Sequence, residues 1–112
     1  MKTEEKIRHA RLTMQDTLDV VGGKWKLVLI FILSDGKKKF NELSRIAEIS
    51  PRILSKELQE LEVNGLVNRT VCNTRPVTVE YSLTEYSKTL SDVIIAMCKW
   101  GENHRARVMA NS

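Results

Sequence analysis

No apolar run in this chain of 112 residues can cross a bilayer: the longest, Leu27 to Leu33, is about a third of the roughly 20 residues a spanning helix needs. Cysteine occurs only at Cys72 and Cys98, without a CxxC pair and with no histidine at metal-ligand spacing. That excludes a disulfide scaffold and a small metal-stapled fold, and leaves two reduced thiols in a reducing compartment. No glycine-rich phosphate loop and no nucleophile–base pair are present, so Glu57, Glu60 and Glu62 read as solvation of a helix and not as acid–base catalysts; no enzyme and no cofactor are expected. Repeats, linkers and low-complexity segments are also missing. Lys2, Glu4, Glu5 and Lys6 follow Met1 where a signal peptide would be apolar, so a cytoplasmic location is expected, without membrane contact.

What is present is a single domain of modest core, which would gain by burying more surface in a dimer. Hydrophobic residues are 42% and charged residues 29%, as in a folded globular chain. The net charge is +4. Between Lys37 and Arg75 eight basic residues face five acidic ones, so +3 of that excess falls in one segment. A polyanionic partner is favoured there.

That segment holds the clearest pattern, residues 40–66. Leu43 and Ile46 share one face of a first helix. Ile49 pins a turn. Ser50 is placed to cap a second helix, and Pro51 suits its first position. Leu54, Leu58 and Leu61 then recur at spacings of four and three and must face inward. Gly65 ends the helix in a left-handed cap. Arg52, Ser55, Lys56 and Gln59 are left outward, side chains of the types that reach phosphates and base edges. The layout is a helix-turn-helix with the second helix as groove reader.

Residues 1–12 are charged and uneven, a helical arm at most. The Thr13–Asp16 capping-box variant marks a helix start, Leu18 and Val21 its apolar side, and Gly22-Gly23 its end. The apolar run to Leu33 suits buried helix or buried strand by period alone; its place between two turn signals selects a core helix within 13–36. Lys37 to Lys39 are extended. Two alternating segments within 67–83, joined by Asn73–Pro76, read as a hairpin with Arg75 at its tip, a wing. Thr84 caps a last helix over 84–108, where Tyr86, Leu90, Val93, Met97, Trp100 and His104 form a heptad seam; residues 105–112 are expected to fray. Trp25 reads as core.

In this order, Thr17 to Trp25 with its Gly-Gly-Lys-Trp, Lys39 to Leu43, Ile49 to Leu54, Leu58 to Glu62, Gly65 to Val67, Val79 to Thr84 and Trp100-Gly101 resemble the HxlR-type winged-helix transcription regulators of bacteria. The match runs through about four fifths of the chain. The resemblance implies an α+β, mostly α, winged helix-turn-helix fold with N- and C-terminal dimerisation helices. It also implies a homodimer, with Leu18, Leu90, Val93, Met97, Trp100 and His104 at the seam, on a palindromic double-stranded DNA operator. Candidate DNA contacts are Lys39, Ser50, Arg52, Ser55, Lys56, Gln59 and Arg75. Many family members carry Cys-Pro before the first core helix; Leu12 and Thr13 stand there, so that thiol switch does not carry over. Lys39 replaces the usual arginine and loses its bidentate fork. The expected function is a repressor acting as that homodimer, with a small-molecule inducer of unidentified chemistry as a further partner. Two alternatives stand beside it: a winged-helix module for protein contacts, and a thiol-based stress sensor working through Cys72.

Overall fold

A computed structural model describes residues 3–112; Met1 and Lys2, the first residues of the expected arm, lie outside the described residues. Helix α1 runs unbroken over Thr3–Val21. Glu4 and Glu5 favour its N-terminus, and neither glycine nor proline interrupts it, so the start expected at Thr13 is corrected to the third residue. Thr13 lies mid-helix, its hydroxyl donating to the Ala10 carbonyl at 3.0 Å, and Thr17 does the same to Thr13 at 2.9 Å. Only the end of α1 meets the core, through Val20 and Val21.

Helix α2, Lys26–Leu33, settles the ambiguous apolar run as a helix and buries Leu29, Ile30 and Leu33. A two-residue strand β1, Lys38–Lys39, then pairs with β3, Thr78–Leu83, which also pairs with β2, Val67–Cys72. The sheet is antiparallel in the order β1-β3-β2. No helix among the described residues is long and apolar enough to cross a membrane.

Between β1 and β2 lie α3, Phe40–Ala47, and α4, Pro51–Val63. The turn between them uses Glu48 in the left-handed region, at φ 57°. Ser44 Oγ closes it by donating to the Ile49 carbonyl at 2.7 Å. Leu43 and Ile49 are buried, but Ile46 is 40% exposed, against expectation. It lies about 60° round the helix from Leu43, in the turn where the chain bends away, and Ile49 fills the core position instead. The Ser50 hydroxyl accepts from the Ile53 N–H at 3.3 Å, and Pro51 follows as expected. Leu54, Leu58 and Leu61 are buried to 1% or less. At the far end, Gly65 (φ 73°) lets the Leu66 N–H reach the Leu61 carbonyl at 2.9 Å and its own N–H the Glu62 carbonyl at 3.0 Å, a Schellman cap.

The C-terminal segment departs from the expected single helix over 84–108. Thr84 caps a short 3-10 turn, Tyr86–Leu90, by accepting from the Ser87 N–H at 3.2 Å, and helix α5 begins at Ser91 and runs to Ala110. The expected fraying from 105 is thus confined to the last two residues. The tighter turn breaks the heptad register: Leu90 packs half-buried against the core and Tyr86 lies outside α5, so the regular stripe starts at Val93. Of α5, only Ile94 is buried.

Candidate nucleic-acid interface

Helix α4 sorts its side chains into three sectors. The leucines face the core. On the opposite side Arg52, Ser55, Lys56 and Gln59 are all exposed, with the capping Ser50 at the helix start. A third sector, Glu57 and Glu60, turns toward α2, where the Lys26 ammonium donates to Glu57 Oε2 at 2.6 Å and to Glu60 Oε2 at 2.7 Å. Lys26 is only 9% exposed, so this is a nearly buried cation shared by two carboxylates. Burial pulls the Lys26 pKa down, but the hydrogen bonds to Glu57 and Glu60 outweigh it and hold the ammonium above its ordinary 10.5. Hydrogen bonding from Lys26, then its charge, holds the Glu60 carboxyl below its ordinary 4.5. Of the three carboxylates read from sequence as solvation, Glu57 and Glu60 are in fact a tether between the core helix and α4, while Glu62 is exposed as expected.

The wing meets α4 across a cleft of about 490 Å³ that Ser55 lines from α4, Lys39 and Asn41 from the start of α3, and Arg69, Val77 and Thr78 from the hairpin. Three of the expected segments are therefore brought to one face. Arg75 is exposed at the hairpin tip, beyond the cleft lining. Lys39 is exposed while its backbone N–H donates to Glu42 Oε1 at 3.0 Å, capping α3. Arg69 is absent from the sequence-derived set; the imperfect alternation of residues 67–72 concealed which strand face it occupies. Among the described residues it forms no ion pair, leaving its guanidinium available.

The seam residues separate from this face. Leu18 is exposed on α1, and Val93, Met97, Trp100 and His104 are exposed on α5. The Trp100 and His104 rings stack at 4.9 Å with planes 16° apart. Trp25 packs against the core, under the Lys24 ammonium 4.9 Å from its ring. Cys98 is exposed and Cys72 half-buried, both as free thiols. The Glu80 carboxylate, accepting from Cys72, pushes that thiol above its ordinary range, with burial adding to the shift. No three His, Cys, Asp or Glu side chains among the described residues gather as a metal site.

The chain is similar to known proteins over most of its length. The model of the HxlR-like helix-turn-helix family matches residues 20–109. The chain is 50% identical over 90 residues to the HTH-type transcriptional regulator YybR of Bacillus subtilis, covering 80% of this chain and 72% of that protein. It is 46% identical over 96 residues to the regulator YdeP of the same organism, covering 85% and 75%. Among solved structures it is similar to the reduced redox regulator HypR, with a TM-score of 0.80 and 45% identity over 88% of this chain and 98% of that one. It is also similar to the reduced transcriptional regulator YodB of B. subtilis, with a TM-score of 0.69 and 36% identity over 80% and 89%.

Proposed function

Because this chain belongs to the HxlR-like helix-turn-helix family and is a transcriptional regulator of that type, we propose that it represses transcription as a homodimer seated on a palindromic DNA site. The observation that carries the reading is the exposed polar face of α4, which adjoins the wing across the cleft shared by Ser55, Lys39 and Arg69. The mechanism has three parts. Lysines and arginines displace condensed counterions and supply most of the raw affinity. Arg52, Ser55, Lys56 and Gln59 enter the major groove and read base edges, while Lys39, Ser50 and Arg69 hold the backbone beside it. Arg75 extends the wing to the neighbouring phosphates or minor groove. A two-fold dimer then presents two α4 helices one DNA turn apart, roughly 34 Å. An inducer would act by favouring a dimer with another separation.

Selection of bound duplexes from a random-sequence pool tests this. The expected product is a two-fold symmetric motif with half-sites about one turn apart. A pool that shows no enrichment, or enriches a single asymmetric site, removes the reading.

One observation favours a second reading: HypR and YodB, to which the chain is similar, include a redox regulator and a form studied after diamide treatment. Against Cys72 as the sensor stands its raised pKa, since the thiolate is the reactive species. If diamide changes the DNA affinity of wild type but not of Cys72→Ser, the thiol reading gains; equal responses dismiss it.

A further inference from the structure

The tether between α2 and α4 has a consequence for the DNA-facing side. Glu60 lies four residues after Lys56 on α4, the spacing at which opposite charges pair along a helix. The two are close enough that Lys56 helps to keep the Glu60 carboxyl acidic. Yet Glu60 Oε2 is taken by Lys26 at 2.7 Å, and Lys56 forms no ion pair among the described residues. Glu57, the other carboxylate on that flank, is held by the same ammonium at 2.6 Å. Lys26 is nearly buried and so does not itself reach DNA.

We propose that Lys26 is a positioning residue for DNA binding: by holding Glu57 and Glu60 against α2 it keeps Glu60 off Lys56, leaving the Lys56 ammonium free for a DNA phosphate or base. Without Lys26, Glu60 swings to Lys56, and binding DNA then has to break that pair. The buried lysine thereby acts on affinity through a residue it does not touch. This rests on the reading that the exposed face of α4 meets DNA.

The test is salt-titrated fluorescence anisotropy on a labelled duplex taken from the selection. Lys56→Ala is expected to weaken binding and lower the salt slope by about one. Lys26→Met should weaken binding about tenfold and lower the slope similarly, although its own charge is out of reach of DNA. Adding Glu60→Gln to Lys26→Met should restore both. Lys56→Ala should cost much less in the Lys26→Met background than in wild type. If the charge left behind unfolds Lys26→Met, K26M/E57Q, which keeps Glu60 charged, carries the same comparison. A change of stability alone would lower the active fraction and leave the slope untouched. If Lys56→Ala weakens binding but Lys26→Met and K26M/E57Q bind like wild type, the inference fails and the α4 reading stands. If Lys56→Ala binds like wild type with an unchanged slope, both fail.

Discussion

Thr84 Oγ1 donates to the Gly65 carbonyl at 2.7 Å, tying the end of the wing to the end of α4. The same oxygen accepts from the Ser87 N–H at 3.2 Å and so starts the turn that leads into α5. One hydroxyl thus joins the end of α4, the hairpin and the approach to α5. Thr84→Val keeps the shape and removes both bonds. It should destabilise the fold by about 1–3 kcal/mol, since it leaves a backbone N–H and a carbonyl to find new partners. Urea unfolding measures this, and a midpoint equal to that of wild type would mean that the linkage contributes nothing.

Gly65 at φ 73° is open to a Cβ sterically, with no heavy atom within 4 Å, so any penalty for Gly65→Ala comes from the backbone alone. A left-handed alanine costs about 1–2 kcal/mol, and the thermal midpoint should fall accordingly with DNA affinity of the folded protein unchanged. An unaltered midpoint would show that the left-handed backbone at residue 65 carries no such penalty for alanine.

Arg69 provides a test of the cleft. Because it lies on the wing beside Ser55 and Lys39 and forms no ion pair among the described residues, Arg69→Ala should weaken binding to specific and scrambled duplexes alike and lower the salt slope by about one. Loss confined to the specific duplex would make it a base reader instead, and no loss would take the wing strand out of the interface.

Much of this was legible beforehand because local signals and tertiary demands agree there. Ser50-Pro51, the leucine spacing of α4 and Gly65 each specify one helix by independent physics, and the outward set Arg52, Ser55, Lys56 and Gln59 follows by subtraction. Lys26 was not legible. A lysine at the mouth of an apolar run reads as solvated, and only the packing of α2 on α4 shows that it is enclosed by two carboxylates. The break in the heptad at Leu90 was hidden for a related reason: Tyr86 and Leu90 have helical spacing, but Thr84 bonds back to Gly65 and Ser87, and the tight turn that results rotates them off the stripe. Ile46 failed because spacing gives a face, not the point at which the chain leaves it.

The Lys26 cluster also sets a pH dependence. The depressed Glu60 carboxyl contributes stability that is present above its ordinary 4.5 and lost as pH falls through its lowered value. The raised Lys26 ammonium contributes stability present below 10.5 and lost as pH rises through its raised value. The cluster's own contribution to the urea midpoint should therefore hold steady between these limits and decline outside them, while the raised Cys72 thiol adds a separate decline above its ordinary 9.0. Glu60→Gln should make the acid-side decline shallower, and an identical acid limb in that variant would mean that the pair contributes no proton linkage.

The exposed apolar stripes make the remaining prediction. Ile7, Ala10, Met14 and Leu18 recur on α1 at spacings of three, four and four and lead to the buried Val21. Val93, Met97 and Trp100 stand on α5, and Trp100 is 68% exposed. Apolar rows of this length outside a single subunit call for a partner, and two reading helices on a palindrome need one. Neither Leu18 nor Met97 is buried within the subunit, so Leu18→Glu and Met97→Lys should leave the fold intact while placing a charge in the seam. Sedimentation velocity should then find a dimer for wild type and monomers for these variants. Affinity for the two-fold site should fall about a hundredfold, because the second half-site no longer binds at high effective concentration, while weak binding to a single half-site survives. Variants that stay dimeric with full affinity would move the seam away from α1 and α5.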